Sequence, residues 1–325
     1  MIKYSFIIPV KEINHYIRES VPKILAIGRD DYEIIIYPDH ASCEMWQKTK
    51  QIASGPGGPA MKRTLAIRDA QGDILVFMDD DAYPEKNFLE LLDEDFSDPS
   101  IVAVGGPAIT PKDDTFLQKV SGAVFLSPLS GGYPERYVPV GKKRFVDDWP
   151  TVNLSVRKDV FSDLGGFDTA YWPGEDTKFC LDLLEKKGKK ILYDPRLIAW
   201  HHRREGFVRH MRQVSGYGIH RGFFARVYPA TSFRLKYFIP SAFLVYIIAG
   251  LGIGIRHPFL LQYYIVGLVI YMIALSKALY DIARHEKDRR ILFHAAYYIF
   301  FTHLVYGYKF IVGFFFTKNL KSKLR

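Results

Sequence analysis

The sequence is poor in cysteine: 325 residues hold two, Cys43 and Cys180. One disulfide is possible, but no disulfide framework is, and a reducing compartment fits best. A secretory leader is not expected either. The opening "MIKYSFIIPVKE" has too short an apolar run and no small-residue cleavage site. It reads as a first strand made in the cytosol. Acids are scarce in one place. Between Arg203 and Lys236 stand Arg203, Arg204, Arg209, Arg212, Arg221, Arg226, Arg234 and Lys236, against Glu205 alone. The net charge is +9. Such a balance suits nucleic acid, an anionic membrane surface or a phosphorylated ligand. Zinc-finger spacing and RNA-binding signatures are both absent, so no nucleic acid partner is expected.

What is present is unevenly spread. Apolar residues make up 48% of the chain, an ordinary share, yet the last 90 or so positions carry far more than their part. Phe238–Ile255, Phe259–Ser276 and Ile291–Tyr308 are free of charged residues, and Lys309 interrupts before "FIVGFFFT". Each run approaches the roughly 20 residues a spanning helix needs. Three hydrophobic helices are therefore expected, at about 238–255, 259–276 and 291–316, in a membrane domain over 226–325. With the preceding domain in the cytosol, "DIARHEKDRR" (281–290) faces inward, as its basic residues prefer. A third full span then places "KNLKSKLR" outside, against that preference, unless the last segment is re-entrant or interfacial.

Before residue 225 the pattern is different. "YSFIIPV" (4–10), "YEIIIYP" (32–38), "DILVFM" (73–78) and "SIVAVGG" (100–106) read as strands covered on both faces. Helical patterns separate them, including "AMKRTLAIRDAQG" (60–72) and "PEKNFLELLDEDF" (84–96), the latter opening on Pro84 at a first-turn position. Alternating strands and helices imply an α/β, Rossmann-like, mostly parallel sheet with helices on both faces. The stretch 127–144, rich in Gly, Pro and charge, reads as a long functional loop.

Two acidic stretches carry chemistry. "ILVFMDDDAYP" (74–84) ends an apolar strand in three aspartates. Ligands of parallel open sheets bind beyond such strand ends. Close carboxylates repel unless a cation joins them, and Mg²⁺ or Mn²⁺ prefers oxygen ligands. In an extended chain Asp79 and Asp81 point one way and Asp80 the other. The second stretch, "PGEDTKFCLDLLEKKG" (173–188), opens a helix with Glu175 and Asp176, where the helix dipole favours negative charge. A carboxylate held ionised there can accept a proton from a hydroxyl.

"FIIPVKE", Asp39 after the second strand, "MDDDA", "NLSVRKDVFSDLGGFD" and "GEDTKFCLDLLEKKG", in that order and spacing, resemble family 2 glycosyltransferases with the GT-A fold. The likeness covers about residues 4–225, and the C-terminal spans resemble the membrane-bound, bacterial exopolysaccharide branch with succinoglycan-type enzymes. The resemblance implies a metal-dependent, inverting enzyme of the inner (cytoplasmic) membrane, with its catalytic domain in the cytosol. It would move a sugar from a nucleotide-sugar donor to a hydroxyl or phosphate of a lipid-linked or polyprenyl-phosphate acceptor. It places Pro9, Glu12 and Asp39 at the nucleotide's base and ribose, with Lys62, Asp79, Asp80 and Arg221 also among donor-binding residues. Asp81 and His201 of "AWHHRREGF" would ligate Mg²⁺ or Mn²⁺, His202 being the alternative. Asp176 would be the base, with Glu175 beside it. Trp172, Gln213, Arg203 and Arg204 would meet the acceptor or the membrane surface. The processive Gln-x-x-Arg-Trp motif is absent, and "RQVSGYGIHRG" (212–222) stands in its place. Two other readings compete: a Mg²⁺-dependent phosphoryl-transfer enzyme with Asp79 as nucleophile, and a non-catalytic membrane scaffold.

Overall fold

The structure, a computed structural model, describes residues 1–168, 170–171, 173–188 and 190–320. The chain falls into two compact units that interleave in sequence. Residues 1–111 and 138–202 form the first, residues 112–137 and 203–320 the second.

Among the described residues the first unit has eleven strands: β1 (Tyr4–Pro9), β2 (Tyr32–Tyr37), β3 (Thr49–Gln51), β4 (Ile74–Phe77), β5 (Ala82–Pro84), β6 (Ala103–Gly105), β7 (Ala108–Ile109), β8 (Arg144–Val146), β9 (Leu154–Arg157), β10 (Ile191–Tyr193) and β11 (Ala199–His201). Eight of them make one sheet in the order β3-β2-β1-β4-β9-β6-β10-β8. β1 pairs in parallel with β2 and β4, and β6 with β10. β9 runs antiparallel to both its neighbours, and β8 antiparallel to β10. The sheet is thus mixed, with most strands in one direction. β1, β2 and β4 are buried along their whole length, because helices cover both faces. Ile17, Val21, Phe88 and Leu92 pack on one face, and Ala60, Phe161, Phe179 and Leu183 on the other.

Some local expectations shift. Pro84 does not open a helix but ends β5, and the helix that follows is Phe88–Phe96. The helix expected over 60–72 is two short ones, Pro59–Thr64 and Ala66–Asp69. β5 belongs to a second sheet, β5-β11-β7, in which His201 stands opposite Ala82. That pairing carries a histidine from far along the chain to the end of β4.

The second unit is helical. Its long helices are Phe207–Val227, Leu235–Arg256, Leu261–Ala283 and Arg289–Ile311, the last continuing as a π-helical turn Val312–Phe316. Among the described residues, three candidate membrane spans lie at Leu235–Ile253, Pro258–Ala283 and Arg289–Phe316, long and apolar enough to cross a bilayer. Many of their Ile, Val, Leu and Phe side chains face outward, as lipid contact requires. The sequence boundary at 225 falls inside the helix Phe207–Val227, which stays whole within this unit. Glycines explain its close seat: a Cβ at Gly218 would lie 2.8 Å from the Tyr306 carbonyl oxygen, and one at Gly222 would lie 2.1 Å from that of Phe310. Small residues at such crossings let backbones touch.

Replacing Gly222 with Leu forces these helices apart, at a cost of about 1–3 kcal/mol by overpacking. The expected result is a melting temperature several degrees lower in detergent. Gly252→Leu, where nothing lies within 4 Å, is expected to leave it unchanged. Equal melting of Gly222→Leu and wild type would contradict the packing described.

Candidate active site

β4 is buried to its last residue, and Met78 is buried beyond it. The chain then turns: the Ala82 amide donates to the Asp79 carbonyl at 3.2 Å, and β5 begins. The turn splits the three aspartates. Asp80 accepts from the Asn14 side-chain amide at 2.6 Å, and Asn14 also caps the helix His15–Leu25. Asp79 and Asp81 face His201 instead, and the ligand atoms of the three lie within 4.8 Å of one another. His201 Nε2 stands 3.2 Å from Asp81 Oδ1. His202 faces elsewhere, 3.2 Å from Glu19 and against the rings of Tyr16 and Tyr83. Two carboxylates and an imidazole form an oxygen-rich donor set that suits Mg²⁺ or Mn²⁺.

The residue that joins this cluster to the second acidic stretch is Arg63. It is 3% exposed. One arm of its guanidinium donates to Asp79, and the other to Glu175 Oε1 at 3.0 Å. Sequence reading passed over it. The available signal was that Ala60 and Arg63, three positions apart, share the buried face of one short helix, a pattern legible once a buried arginine is admitted. Asn14 was missed for the same kind of reason, being a cap residue that also holds Asp80.

Glu175 and Asp176 open the helix Glu175–Lys187. The preceding Gly174 has φ 118°, in the left-handed region where a side chain strains. That turn buries Glu175 and leaves Asp176 partly open. Burial pushes the Glu175 acid up to about 8, with Asp176 adding to the rise and Arg63 opposing it. Asp176 accepts from the Thr177 amide at 2.7 Å, within the first helical turn where negative charge is favoured.

Near the ends of β1 and β2 the buried Lys62 ammonium donates to the Val10 carbonyl at 2.6 Å, to the Tyr37 carbonyl at 3.2 Å and to Asp39. Lys62 thereby fixes Asp39 at the strand ends. Pro9 closes β1, and Glu12 is exposed beyond it. Trp172 lies outside the described residues. Arg203, Arg204, Gln213 and Arg221 belong to the second unit. Arg203 is buried, its guanidinium 4.9 Å over the Tyr137 ring and its amide donating to Asp114. Arg204 is exposed and Gln213 half-buried. Arg221 donates to Ser232 Oγ at 3.3 Å.

Residues 5–161 match the sequence profile of glycosyl transferase family 2. The chain is 25% identical over 253 residues to the dolichyl N-acetyl-alpha-D-glucosaminyl phosphate 3-beta-D-2,3-diacetamido-2,3-dideoxy-beta-D-glucuronosyltransferase of Methanococcus voltae, spanning 76% of this chain and 72% of that protein. It is 31% identical over 147 residues to the pre-mycofactocin glycosyltransferase of Mycobacterium tuberculosis, spanning 45% of this chain and 30% of that protein. Among solved structures, the mannosyltransferase PcManGT from Pyrobaculum calidifontis, in complex with GDP-Man and Mn²⁺, superposes with a TM-score of 0.53 at 15% identity, over 98% of this chain and 88% of that one. The fold is thus the GT-A arrangement. Residues 5–161 carry a glycosyltransferase family 2 domain, and the chain is a glycosyltransferase.

The buried Glu175 makes a pH prediction. The folded protein keeps its proton to about pH 8, whereas the unfolded chain releases it near 4.5. Stability from this group therefore falls as pH rises through that window. Glu175→Gln removes the dependence, so its melting temperature is expected to drop less than that of wild type between pH 5 and pH 8. Parallel slopes for the two proteins would count against a protonated Glu175.

Proposed function

We propose that the protein is a membrane-anchored, inverting glycosyltransferase that moves a sugar from a nucleotide-sugar donor to a hydroxyl of a lipid-linked glycan. The observation that carries this reading is the Asp79–Asp81–His201 cluster joined through Arg63 to the Glu175–Asp176 pair. The three apolar helices and the dolichyl-phosphate-linked substrate in the name of the Methanococcus relative support the lipid acceptor. Nucleotide sugars are made in the cytosol, so the first unit belongs on that side of a multi-pass inner membrane protein.

Asp79, Asp81 and His201 would hold Mg²⁺ or Mn²⁺, and the bound ion supplies positive charge for the leaving nucleoside diphosphate. Asp39, fixed by Lys62, meets the base, while Pro9 and Glu12 flank the base and ribose. Asp176 accepts the proton of the acceptor hydroxyl as its oxygen attacks the anomeric carbon. The bond from that carbon to the diphosphate oxygen breaks on the opposite face, and the nucleoside diphosphate departs. Glu175 hydrogen-bonds Arg63 and fixes the geometry of the pair. Arg63 holds Asp79 and Glu175 in register, so Asp79 keeps a fixed position relative to the acidic helix start.

A thermal-shift panel of UDP and GDP with and without Mn²⁺ tests the donor side. One diphosphate is expected to raise the melting temperature in a metal-dependent way, and Asp81→Ala to abolish the rise. Asp176→Asn should keep that rise while losing ~10²–10⁴-fold in turnover, the usual contribution of a general base. Full turnover in Asp176→Asn, or metal-independent binding in wild type, would contradict these roles.

A further inference from the structure

The short connection 10–14 joins β1 to the helix His15–Leu25 and is held along its length. At its start the Val10 amide donates to the Tyr37 carbonyl at 3.1 Å, and the Val10 carbonyl accepts from Lys62 at 2.6 Å. Next, the Lys11 carbonyl accepts from the Asp39 amide at 2.9 Å. At its end the Asn14 side-chain oxygen accepts from the Ile17 amide at 3.0 Å and caps the helix. That helix is itself fixed, because Ile17, Val21 and Ile24 are fully buried against the sheet.

A cap needs only the side-chain oxygen, which Ser or Asp supplies as well as Asn does. Asparagine adds a donor, and here the donor is used. The Asn14 amide donates to Asp80 Oδ2 at 2.6 Å. A hydrogen bond to an ionised carboxylate is roughly twice as strong as a neutral one. Asp80 occupies a sensitive place. The Asp79 carbonyl accepts from the Ala82 amide at 3.2 Å, so Asp80 and Asp81 are the central residues of a turn. The strand that follows, β5, has three residues and gives the turn little rigidity of its own. The turn is gripped twice: His201 stands 3.2 Å from Asp81, and Asn14 holds Asp80. A ligand set keeps its geometry when the groups around it are fixed in this way.

We propose that Asn14 is a positioning residue for the cation site: its amide holds Asp80, and through Asp80 the turn that aims Asp79 and Asp81. This inference rests on the metal reading above and deepens it. Asn14 needs no contact with ion or donor to act. The connection that ends in Asn14 also meets Asp39 through Lys11, so the nucleotide side and the ion side of the donor site share one anchor.

The test reads Mn²⁺ binding by electron paramagnetic resonance, on the full chain in detergent with UDP or GDP present. Asn14→Ser keeps a capping oxygen but loses the amide that reaches Asp80. It is expected to bind Mn²⁺ ~3–10-fold more weakly than wild type, at the lower edge of what loss of an outer-shell partner costs. With Asp80→Ala already in place, Asn14→Ser is expected to change the affinity by less than ~2-fold, because the group it acts through is gone. If Asn14→Ser does not fold, Asp80→Asn against Asp80→Ala decides. Both remove the same charge, but only the former keeps an acceptor for Asn14. Asp80→Asn is expected to bind Mn²⁺ at least ~3-fold more tightly than Asp80→Ala. Wild-type affinity in Asn14→Ser overturns the proposal, as does an equal loss in both backgrounds or equal affinity of the two Asp80 variants. A wild type that binds no Mn²⁺ with either nucleotide defeats the metal reading and this proposal together. That result is distinct from a wild type that binds the ion while Asn14 and Asp80 act independently.

Discussion

Asp79 and Asp81 stand just beyond a strand buried on both faces, and two carboxylates held this close repel each other. Two side chains brought from other elements approach the pair. Arg63 comes from the short helix after the Gly-Pro loop and holds Asp79. His201 comes from β11 and lies against Asp81. Neither approach is local in sequence. The antiparallel pairing of β11 with β5 sets the histidine, and the packing of Pro59–Thr64 on the sheet sets the arginine. The two carboxylates still share one small space with the imidazole, an arrangement that a divalent cation would satisfy. Asp81 is buried and Asp79 partly open, so two like charges this close are costly without a balancing cation.

Arg63 gives the arrangement a second consequence. Because it donates to Asp79 and Glu175 together, it ties the strand end to the start of the acidic helix. Removing it would leave Glu175 buried without its cationic partner. Lys62, the neighbouring residue, plays a parallel part for Asp39 at the ends of β1 and β2. Two consecutive cations in one helical turn thus brace two separate parts of the site.

Much of this was legible in the sequence because the signals were long or locally determined. The uninterrupted apolar runs of β1, β2 and β4 announced buried strands, and three uncharged stretches announced the apolar helices. The Asp-Asp-Asp turn and the Gly-Glu-Asp helix start were visible as chemistry before any fold was known. What escaped was short or long-range. β5, β7 and β11 have two or three residues each, too few for a period to register. β9 reverses the sheet's direction within four residues, inside a stretch read only as a motif. Pro84 carried a helix-start signal, but cross-strand pairing with Ala199 decided its place. Arg63 was hidden because charged residues are rarely buried unless paired, and its partners lie 16 and 112 residues away. The basic run from Arg203 to Lys236 read as a single segment, whereas the structure sorts it: Arg203 buried on Tyr137, Arg204 exposed, and Arg221 with Lys236 around one tyrosine pair.

The proposed function gives the metal site one nitrogen ligand, His201. Electron spin-echo envelope modulation on Mn²⁺ bound together with the preferred nucleoside diphosphate reads that ligand directly. Wild type is predicted to show ¹⁴N modulation from a coordinated imidazole, and His201→Ala to lose it while His202→Ala keeps it. A wild-type signal without nitrogen coupling, or one that survives in His201→Ala, would contradict the site described.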